Sequence, residues 1–566
     1  MEEKMLASIS PPPAIATSAA VRNNLFAAVD IGTNSFKLTI VRAEPSSGLF
    51  LAHDHLKEPV VLGLDTTSTS APATISAASI ERSLSALHRF QKFLNSYQLP
   101  PSNLRLVATS AVREASNKSQ FISSVRGTLN LDVEIISGIQ EARLIYLGIL
   151  QFFPVFTSTV LIIDIGGGST EFAVGLQGNI LFSKSLRLGH VTLTQEFTDI
   201  ISMRKHIQTE VQSCGLIEKI KNFKIDMVIG ASGTIKAIEK AVFKGYTRTV
   251  GENVGLIEDF VKREWKFNKE ELKSLVESLC EEEKEMEGKV KRIGFFKDRE
   301  AFISAGAILL DEIFEMVGID EMEVSGYALG EGVITEMLGQ VLHGFDLNAN
   351  ARWRSVAKLS SRFNNKKRIQ AANVCACISR EIFEGLRKLN EPLDSDFSVA
   401  LDDKDLEYLE SASLLHNIGL HAGKKGYHKH SYRIIVNGDQ LYGYSEEEIK
   451  KIGLLVRYHR KKFPKSDDLE GSSKEAKKKF VILCTILRIS VAVQQSLQCL
   501  SNRIMKFKCE PEGFKLVVGE NEERNQSFET VSPLEGGANA LMDKELEHFR
   551  MVFKKNLSLV VASSIS

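Results

Sequence analysis

Short apolar runs alternate with longer segments of helical period from Leu25 onward. LFAAV, KLTIVRAE and GLFLAHDH predict three consecutive strands, and SAASIERSLSALHRFQKFL has the spacing of an amphipathic helix. Strands NLRLVATS and VEIIS and helix QEARLIYLGIL follow, and at TVLIID the same layout begins again. The alternation predicts an α/β fold with two similar halves, at 25–150 and 151–345, whose first strands are antiparallel neighbours.

The pattern changes around GFDLNANARWR, where helical segments replace the alternating strands. NVCACISREIFEGL, YLESASLLHNIGL, IKKIGLLVRYH and FVILCTILRISVAV all have helical spacing. Later, FKCEPEGFKLVVG predicts a hairpin with a Pro-Glu-Gly turn, and DKELEHFRMVF predicts a further helix. We therefore expect a mainly helical unit over residues 346–566.

Composition limits the class of protein. At 566 residues the chain is too long for one ordinary core, so two to four domains are expected. A share of 43% apolar and 25% charged residues is typical of a soluble globular protein, and no run approaches the ~18 apolar residues of a membrane span. Lys+Arg and Asp+Glu both number 71, so any anion site must be a local concentration of positive charge.

The cysteines and the first residues favour a reducing, cytoplasmic location. The seven cysteines include no C-x-x-C pair, and Cys375 and Cys377 lie in an apolar helical stretch where core packing is expected. Residues 1–24 lack the apolar segment of a secretory signal and carry as many acidic residues as basic ones, which is a poor organelle transit peptide. We expect this segment to be a disordered tail.

One short sequence occurs twice, as DIGTNS at 30–35 and DIGGGS at 164–169, each after an apolar run. Glycines in such a turn let backbone N–H groups approach a ligand, and consecutive N–H groups form a nest for phosphate oxygens. Either turn alone would be read as a plain hairpin turn, but two copies facing each other across a duplicated fold would grip one phosphate group. A third turn, GASGT at 230–234, begins a helix whose N-terminus also favours anions.

This arrangement resembles the superfamily of actin, sugar kinases and chaperone ATPases, and it implies a duplicated actin-like (ribonuclease H-like) fold. Within it, DIGTNSFKL, ATSAVREA, SGIQEARLIYLG, DIGGGSTEF and GASGTIKAI occur in the order of the signature blocks of the exopolyphosphatase/guanosine pentaphosphate phosphatase family. GHVTLTQEF and FISAGAILL continue the match. The resemblance covers 25–345 closely and the helical unit more loosely. The phosphate-binding residues that we expect are Asn34, Ser35, Gly166, Gly167, Gly168, Ser169, Ser232 and Gly233.

The resemblance implies catalytic and metal-binding roles for particular side chains. Glu141 matches the family's general base, and Arg113 matches an arginine that neutralises the phosphate. Asp164 and Glu171 resemble the family's Mg²⁺-binding carboxylates, and Asp30 is a further expected ligand from the first turn. The plainer readings are a first-turn helix glutamate for Glu141, a surface arginine for Arg113, a turn aspartate for Asp164 and a solvated surface glutamate for Glu171. Gln140 stands where many relatives have another acid.

The helical unit resembles the family's C-terminal domain, a relative of the HD-type phosphohydrolases. A working HD metal site needs an early His, a His-Asp pair and a later Asp, whereas this chain has His416-Asn417 and no early histidine. We therefore expect an HD-like fold without a second metal centre. Its cations predict either a channel for a long polyanion or a solvated basic face, and those assigned to the channel are Arg457, Arg460, Lys461 and Lys462.

The function that the resemblance implies is Mg²⁺-dependent release of terminal phosphate from inorganic polyphosphate or guanosine pentaphosphate. One alternative is an ATP-dependent kinase or chaperone-like ATPase of the same fold, which the SGIQEARL block disfavours. The other is a non-catalytic signalling regulator. The expected partners are therefore polyphosphate or a polyphosphorylated guanosine nucleotide, with neither DNA nor a membrane, and a homodimer is one expected assembly.

Overall fold

The structure is a computed structural model that describes most of the chain from Leu25 to Ala562. The predicted tail at 1–24 lies outside the described residues. The described ranges are 25–43, 50–62, 74–97, 99–243, 245–246, 265–281, 296, 299–341, 345–348, 350–388, 400–438, 441–463, 473–496, 504–510, 512–519, 528–530 and 538–562.

Among its described residues, the first half contains a five-stranded sheet in the order β3-β2-β1-β4-β5. β1 pairs with β2 antiparallel and with β4 parallel. β1 ends within the turn DIGTNS and β2 begins at its last residue, as the apolar runs predict. The strands are β1 (Leu25–Ile31), β2 (Ser35–Ala43), β3 (Phe50–Pro59), β4 (Leu104–Ala108) and β5 (Val133–Ile135), and the helices are α1 (Ala77–Asn95), α2 (Ser110–Arg113), α3 (Lys118–Leu129) and α4 (Gly138–Leu150).

The second half repeats this arrangement in a sheet whose described strands number six, in the order β10-β11-β9-β6-β7-β8. β6 pairs with β7 antiparallel and with β9 parallel, as β1 does with β2 and β4, so the predicted duplication is confirmed. The strands are β6 (Val160–Ile165), β7 (Thr170–Leu176), β8 (Asn179–Leu186), β9 (Met227–Ala231), β10 (Lys266–Asn268) and β11 (Glu321–Val324). The helices are α5 (His190–Glu196), α6 (Ile200–Ser213), α7 (Leu216–Lys221), α8 (Ser232–Phe243), α9 (Lys269–Glu281), α10 (Ile303–Val317) and α11 (Leu329–Val341).

A core shared by the two halves holds their sheets in a fixed relation. Apolar side chains of β1, β6, α4 and α11 pack in one cluster. Within it α4 crosses α11 at Gly148 and Gly332. The two backbones approach closely there, since a Cβ added to Gly148 would lie 2.9 Å from the backbone nitrogen of Gly332. The close crossing fixes α4, and the first turn of α4 carries Glu141.

The helical unit has its own core and a small second layer of strands. The predicted hairpin is confirmed, with Phe507 opposite Leu516 across the turn. Two further strands complete a sheet in the order β12-β13-β15-β14, which sequence reasoning did not predict. The helices are α12 (Ala351–Phe363), α13 (Lys366–Arg387), α14 (Asp403–Leu415), α15 (Tyr427–Asn437), α16 (Glu446–Tyr458), α17 (Lys474–Ser496) and α18 (Ala538–Phe553), and the strands are β12 (Ile504–Glu510), β13 (Gly513–Gly519), β14 (Phe528–Thr530) and β15 (Asn556–Ala562).

The helical unit docks on strand β3 of the first sheet. The indole nitrogen of Trp353 donates to the carbonyl of Phe50 at 3.2 Å. The carboxylate of Asp54 is buried and receives the ammonium of Lys366 at 3.2 Å, the amide of Gln370 at 3.3 Å and the hydroxyl of Tyr97 at 2.9 Å. In the described part of the chain, no helix combines the length and apolarity needed to cross a membrane.

Candidate active site

The two Asp-Ile-Gly turns face each other at van der Waals distance. A Cβ added to Gly167 would lie 3.0 Å from Cβ of Thr33 and 3.2 Å from the backbone nitrogen of Asn34. A Cβ on Gly168 would lie 2.8 Å from the hydroxyl of Ser110. A side chain at either position would therefore force Thr33, Asn34 or Ser110 to move, which favours glycine here.

A cavity of about 70 Å³ lies between these turns and the start of α8, and we call it the glycine cleft. Pockets that enclose a drug-sized ligand measure ~300–1,000 Å³, so the glycine cleft is too small to enclose a whole ligand of that size. All the predicted phosphate-binding residues line it, namely Asn34, Ser35, Gly166, Gly167, Gly168, Ser169, Ser232 and Gly233.

Three of the predicted acidic residues also line the glycine cleft. Asp30 and Asp164 come from the two opposing turns, and Glu141 comes from the first turn of α4. Glu171 is not among the lining residues. It lies directly across from Asp164 in the strand pairing, is 2% exposed, and accepts from the hydroxyl of Ser185 at 2.8 Å.

Glu141 is held at the cleft by its helix and by Arg113. Ser137 caps α4 and forms a reciprocal capping box with Gln140. The side chain of Gln140 is exposed, and its role in the capping box is structural. Glu141 is 7% exposed, which excludes the plain reading of a solvated first-turn glutamate. Arg113 does not line the cleft, and it donates from Nη1 to Oε2 of Glu141 at 2.9 Å and to the carbonyl of Ile136 at 3.1 Å.

Three buried carboxylates at the site have raised pKa values. Burial is the main cause for Glu141, whose pKa is raised well above its ordinary value with a further contribution from Glu171, while Arg113 opposes the shift. Burial likewise raises the pKa of Asp164 to about 6, although Lys37 opposes it. Burial and Asp164 raise the pKa of Glu171 to about 7. A cation bound among these groups would favour their ionised forms.

The donor set fits Mg²⁺ as a partner of substrate rather than as an ion enclosed by protein. Asp30 and Asp164 present oxygen ligands to the cleft from two sides. Across the described residues, no group of three or more His, Cys, Asp or Glu side chains is arranged to hold a metal on its own. Mg²⁺ is commonly held by one or two carboxylates, with water and substrate phosphate completing its octahedron.

Sequence reasoning missed several residues of the cleft, of which His190 is the most informative. His190 is 4% exposed and burial lowers its pKa to about 3, so its ring is neutral. Its Nε2 accepts from the amide of Asn34 at 3.2 Å, and its Nδ1 donates to the hydroxyl of Thr234 at 3.1 Å. The ring thus joins the first turn to the third. It lies in the recognisable segment GHVTLTQEF, which was the available signal.

Two cations at the cleft were also missed. Lys37 lies 3.2 Å from Asp30, and the attraction of that carboxylate raises the lysine pKa. Arg299 lines the cleft, and its guanidinium occupies the space that a side chain at Gly233 would fill. Gly233 therefore lets a guanidinium approach the N-terminus of α8, where the third predicted turn begins its helix.

The four cations predicted to form a polyanion channel do not line the glycine cleft. They lie at the end of α16 and in the loop that follows it. Arg457 and Arg460 contact aromatic rings, with guanidinium carbons 5.2 Å from the centre of Tyr432 and 4.9 Å from the centre of Tyr427. Lys461 and Lys462 are exposed. A channel between this loop and the cleft stays a prediction.

The His416-Asn417 pair forms internal contacts of the helical unit. Nδ1 of His416 donates to the carbonyl of Ser413 at 2.7 Å. The amide of Asn417 donates to the carbonyl of Arg368 at 2.9 Å, and its oxygen accepts from Asn364 at 2.8 Å. Asn417 therefore stabilises the packing of three helices.

Comparison with protein-family models finds two matches along the chain. Residues 50–341 match the Ppx/GppA phosphatase family, and residues 351–528 match Ppx/GppA phosphatase, domain III. The boundary between the two matches agrees with the change of pattern in the sequence near residue 346.

Similar proteins include two named guanosine-5'-triphosphate,3'-diphosphate pyrophosphatase. The one from Pseudoalteromonas translucida is 28% identical over 480 residues, which cover 83% of this chain and 87% of the relative. The one from Aeromonas hydrophila is 28% identical over 478 residues, covering 82% and 87%. Among solved structures, an exopolyphosphatase from Cytophaga hutchinsonii is 24% identical with a TM-score of 0.47, covering 56% of this chain and 98% of that chain. A Ppx/GppA family member from Aquifex aeolicus is 24% identical with a TM-score of 0.46, covering 56% and 99%.

Proposed function

The chain belongs to the Ppx/GppA phosphatase family, and on that premise we propose that it is a Mg²⁺-dependent phosphohydrolase. It releases the terminal phosphate of a polyphosphorylated guanosine nucleotide or of inorganic polyphosphate. The observation that carries the proposal is the position of Glu141, a buried carboxylate in the wall of a cleft built from glycine turns. The names of the two pyrophosphatases support the nucleotide as substrate.

The glycine cleft supplies the contacts that a terminal phosphate needs. Backbone N–H groups of the opposing turns and the N-terminus of α8 favour anions. Lys37 and Arg299 add positive charge at the same cavity. The small volume holds the phosphate undergoing reaction, while the rest of the substrate extends outside.

Hydrolysis of a phosphoanhydride requires a water in line with the leaving oxygen. Glu141 accepts one proton of this water as the water oxygen bonds to the terminal phosphorus. The bond between that phosphorus and the bridging oxygen breaks, and its electrons leave with the shortened substrate. Arg113 holds the Glu141 carboxylate in place and favours its ionised form.

Asp30 and Asp164 would hold Mg²⁺ from opposite sides of the glycine cleft. A bound Mg²⁺ would neutralise charge on the phosphate oxygens. Glu171 lies directly across from Asp164. Burial and the charge of Asp164 raise the pKa of Glu171, so a bound cation would relieve the repulsion between the two carboxylates. Cytoplasmic location, homodimerisation and the HD-like character of the helical unit belong to the proposal as predictions from the sequence.

A phosphate-release assay tests the proposal and its alternatives. Purified protein would be incubated with guanosine pentaphosphate, polyphosphate of several lengths, or ATP, each with Mg²⁺ and with chelator. We expect phosphate from the first two substrates in the presence of Mg²⁺, and little from ATP. Phosphate release from ATP but from neither of the other substrates would indicate the kinase-like ATPase. No phosphate release from any of the three substrates would indicate the non-catalytic regulator.

A further inference from the structure

The strand pairings beside the two Asp-Ile-Gly turns differ in charge. In the first half, Asp30 on β1 lies directly across from Lys37 on β2. In the second half, the corresponding pair is Asp164 on β6 and Glu171 on β7. The segments DIGTNSFK and DIGGGSTE thus end in residues of opposite charge at equivalent positions of the duplicated fold.

Lys37 forms an ion pair with Asp30 in the wall of the glycine cleft. Its ammonium lies 3.2 Å from Oδ2 of Asp30, and both residues line the cavity. The charge of Lys37 also acts on the opposing turn, where it opposes the increase in the pKa of Asp164 that burial causes. An ammonium therefore already lies among the carboxylates that would hold Mg²⁺.

The surroundings of Lys37 allow its ammonium to change partner. Its side chain is 43% exposed, whereas that of Asp30 is 10% exposed. A lysine ammonium is a compact charge on a flexible four-carbon stem, so it can turn while the backbone stays in place. On the other side of β2, Lys57 of β3 lies directly across from Lys37. Like charges at opposite positions of a sheet repel each other, so Lys57 favours the contact of Lys37 with Asp30.

We propose that Lys37 is a positioning residue that couples the binding of Mg²⁺ to the binding of phosphate. In the free protein its ammonium holds the place of a cation at Asp30, and with phosphate in the cleft it turns to the phosphate oxygens. Two cations close to one carboxylate repel each other, so Mg²⁺ gains full access to Asp30 only after this turn. The inference rests on the metal ligands of the proposed function, but its test measures binding and not turnover.

Binding of Mn²⁺ to the full-length protein tests this coupling. Mn²⁺ prefers the same oxygen ligands as Mg²⁺, and electron paramagnetic resonance measures its unbound fraction. A cation at ~4–6 Å typically weakens the binding of a proton to a carboxylate by about tenfold or more, and a divalent ion is repelled at least as strongly. We therefore expect Lys37→Met to bind Mn²⁺ at least about tenfold more tightly than the natural protein. Lys37→Arg keeps the charge and should bind it about as weakly as the natural protein.

Inorganic phosphate provides the second measurement. In the natural protein, phosphate should tighten the binding of Mn²⁺ by offering oxygen ligands and by withdrawing Lys37 from Asp30. In Lys37→Met only the first contribution remains. The ratio of the Mn²⁺ dissociation constants without and with phosphate should therefore be smaller in this variant by at least about fivefold. Linkage requires that Mn²⁺ tighten the binding of phosphate by the same ratio, which equilibrium dialysis with labelled phosphate checks.

Lys57→Met is the matched control. Lys57 lies one strand further from Asp30 and is not among the residues that line the glycine cleft. Its substitution removes the same charge and should change the affinity for Mn²⁺ much less than Lys37→Met does. Equal tightening by the two variants would overturn the inference, since the effect would then be one of general charge. Binding by Lys37→Met that is no tighter than in the natural protein would also overturn it.

Two further variants separate this inference from the proposed function. If Lys37→Met does not fold, Lys37→Gln repeats the test, and unchanged affinity for Mn²⁺ in that variant would exclude the coupling. If Asp164→Asn weakens the binding of Mn²⁺ while the Lys37 variants leave it unchanged, the coupling is wrong and the metal site of the proposed function remains. If Mn²⁺ binds to none of these proteins, with or without phosphate, both are wrong.

Discussion

Arg113 donates from Nη1 to Oε2 of Glu141 at 2.9 Å, and the same nitrogen donates to the carbonyl of Ile136 at 3.1 Å. Ile136 immediately follows β5, so the guanidinium is anchored to the connection that leads into α4. The contact has two effects on Glu141, the proposed base. It fixes the position of the carboxylate, and it opposes the increase in the pKa of Glu141 that burial causes.

We expect Arg113→Met to shift the pH dependence of the reaction. A general base acts only when deprotonated, and removing the cation would raise the pKa of Glu141 further. The acid limb of the kcat/KM profile should therefore move to higher pH, with a loss that is large at low pH and smaller at high pH. Arg113→Lys, which keeps the charge, should shift the limb less. An equal loss at every pH would mean that Arg113 contacts the substrate instead.

Glu141→Gln should reduce the rate of phosphate release by ~10²–10⁴, the usual contribution of a positioned base. Folding should be nearly unchanged, because the amide keeps the size of the side chain. The neighbouring Gln140→Glu provides a control, since that side chain is exposed and a glutamate can form the same capping box. Turnover at the normal rate in a folded Glu141→Gln protein would exclude this residue as the base.

Asp164→Asn should raise the Mg²⁺ concentration needed for half-maximal activity, because a negative charge is removed from the wall of the glycine cleft. Glu171→Gln should have a smaller effect, since Glu171 does not line the cleft and is bonded to Ser185. The measurement is phosphate release against Mg²⁺ concentration, with chelator as the zero point. An unchanged Mg²⁺ requirement in Asp164→Asn would place the ion elsewhere.

The elements that could be predicted are those that depend on local sequence. Runs such as TVLIID specify a buried strand by themselves, and the glycine turns follow from the need for backbone to approach backbone. The repeated turn then predicted the duplicated sheets, and all eight residues that were predicted to bind phosphate line one cavity.

The parts that were missed depend on pairing between distant segments. The contact of His190 with Asn34 joins residues 156 positions apart. The pairing of Arg113 with Glu141 requires β4 and β5 to be neighbours, which neither segment specifies alone. Strand β15 has an apolar pattern, but its place beside β13 is set by parallel pairing with a segment about 40 residues earlier.

The crossing of α4 and α11 gives a prediction that connects packing to catalysis. A Cβ on Gly332 would lie 3.2 Å from the backbone nitrogen of Gly148 and closer still to the carbonyl of Leu144. Backbone cannot rotate away as a side chain can, so Gly332→Ala should force the helices apart and cost about 1–3 kcal/mol of the free energy of unfolding. Because α4 carries Glu141, the displacement should also lower kcat at temperatures where the variant is fully folded.

Gly339→Ala is the matched control for that change. Gly339 lies on the same helix, and a Cβ there would meet no atom within 4 Å. Alanine in an open helix position is favoured over glycine by roughly 0.5–1 kcal/mol, so this variant should be slightly more stable than the natural protein and equally active. Thermal unfolding and phosphate release would be measured for both variants. If Gly332→Ala matched Gly339→Ala in stability and activity, the helix crossing would have room to move, and the position of Glu141 would have to be fixed by Arg113 and the capping box alone.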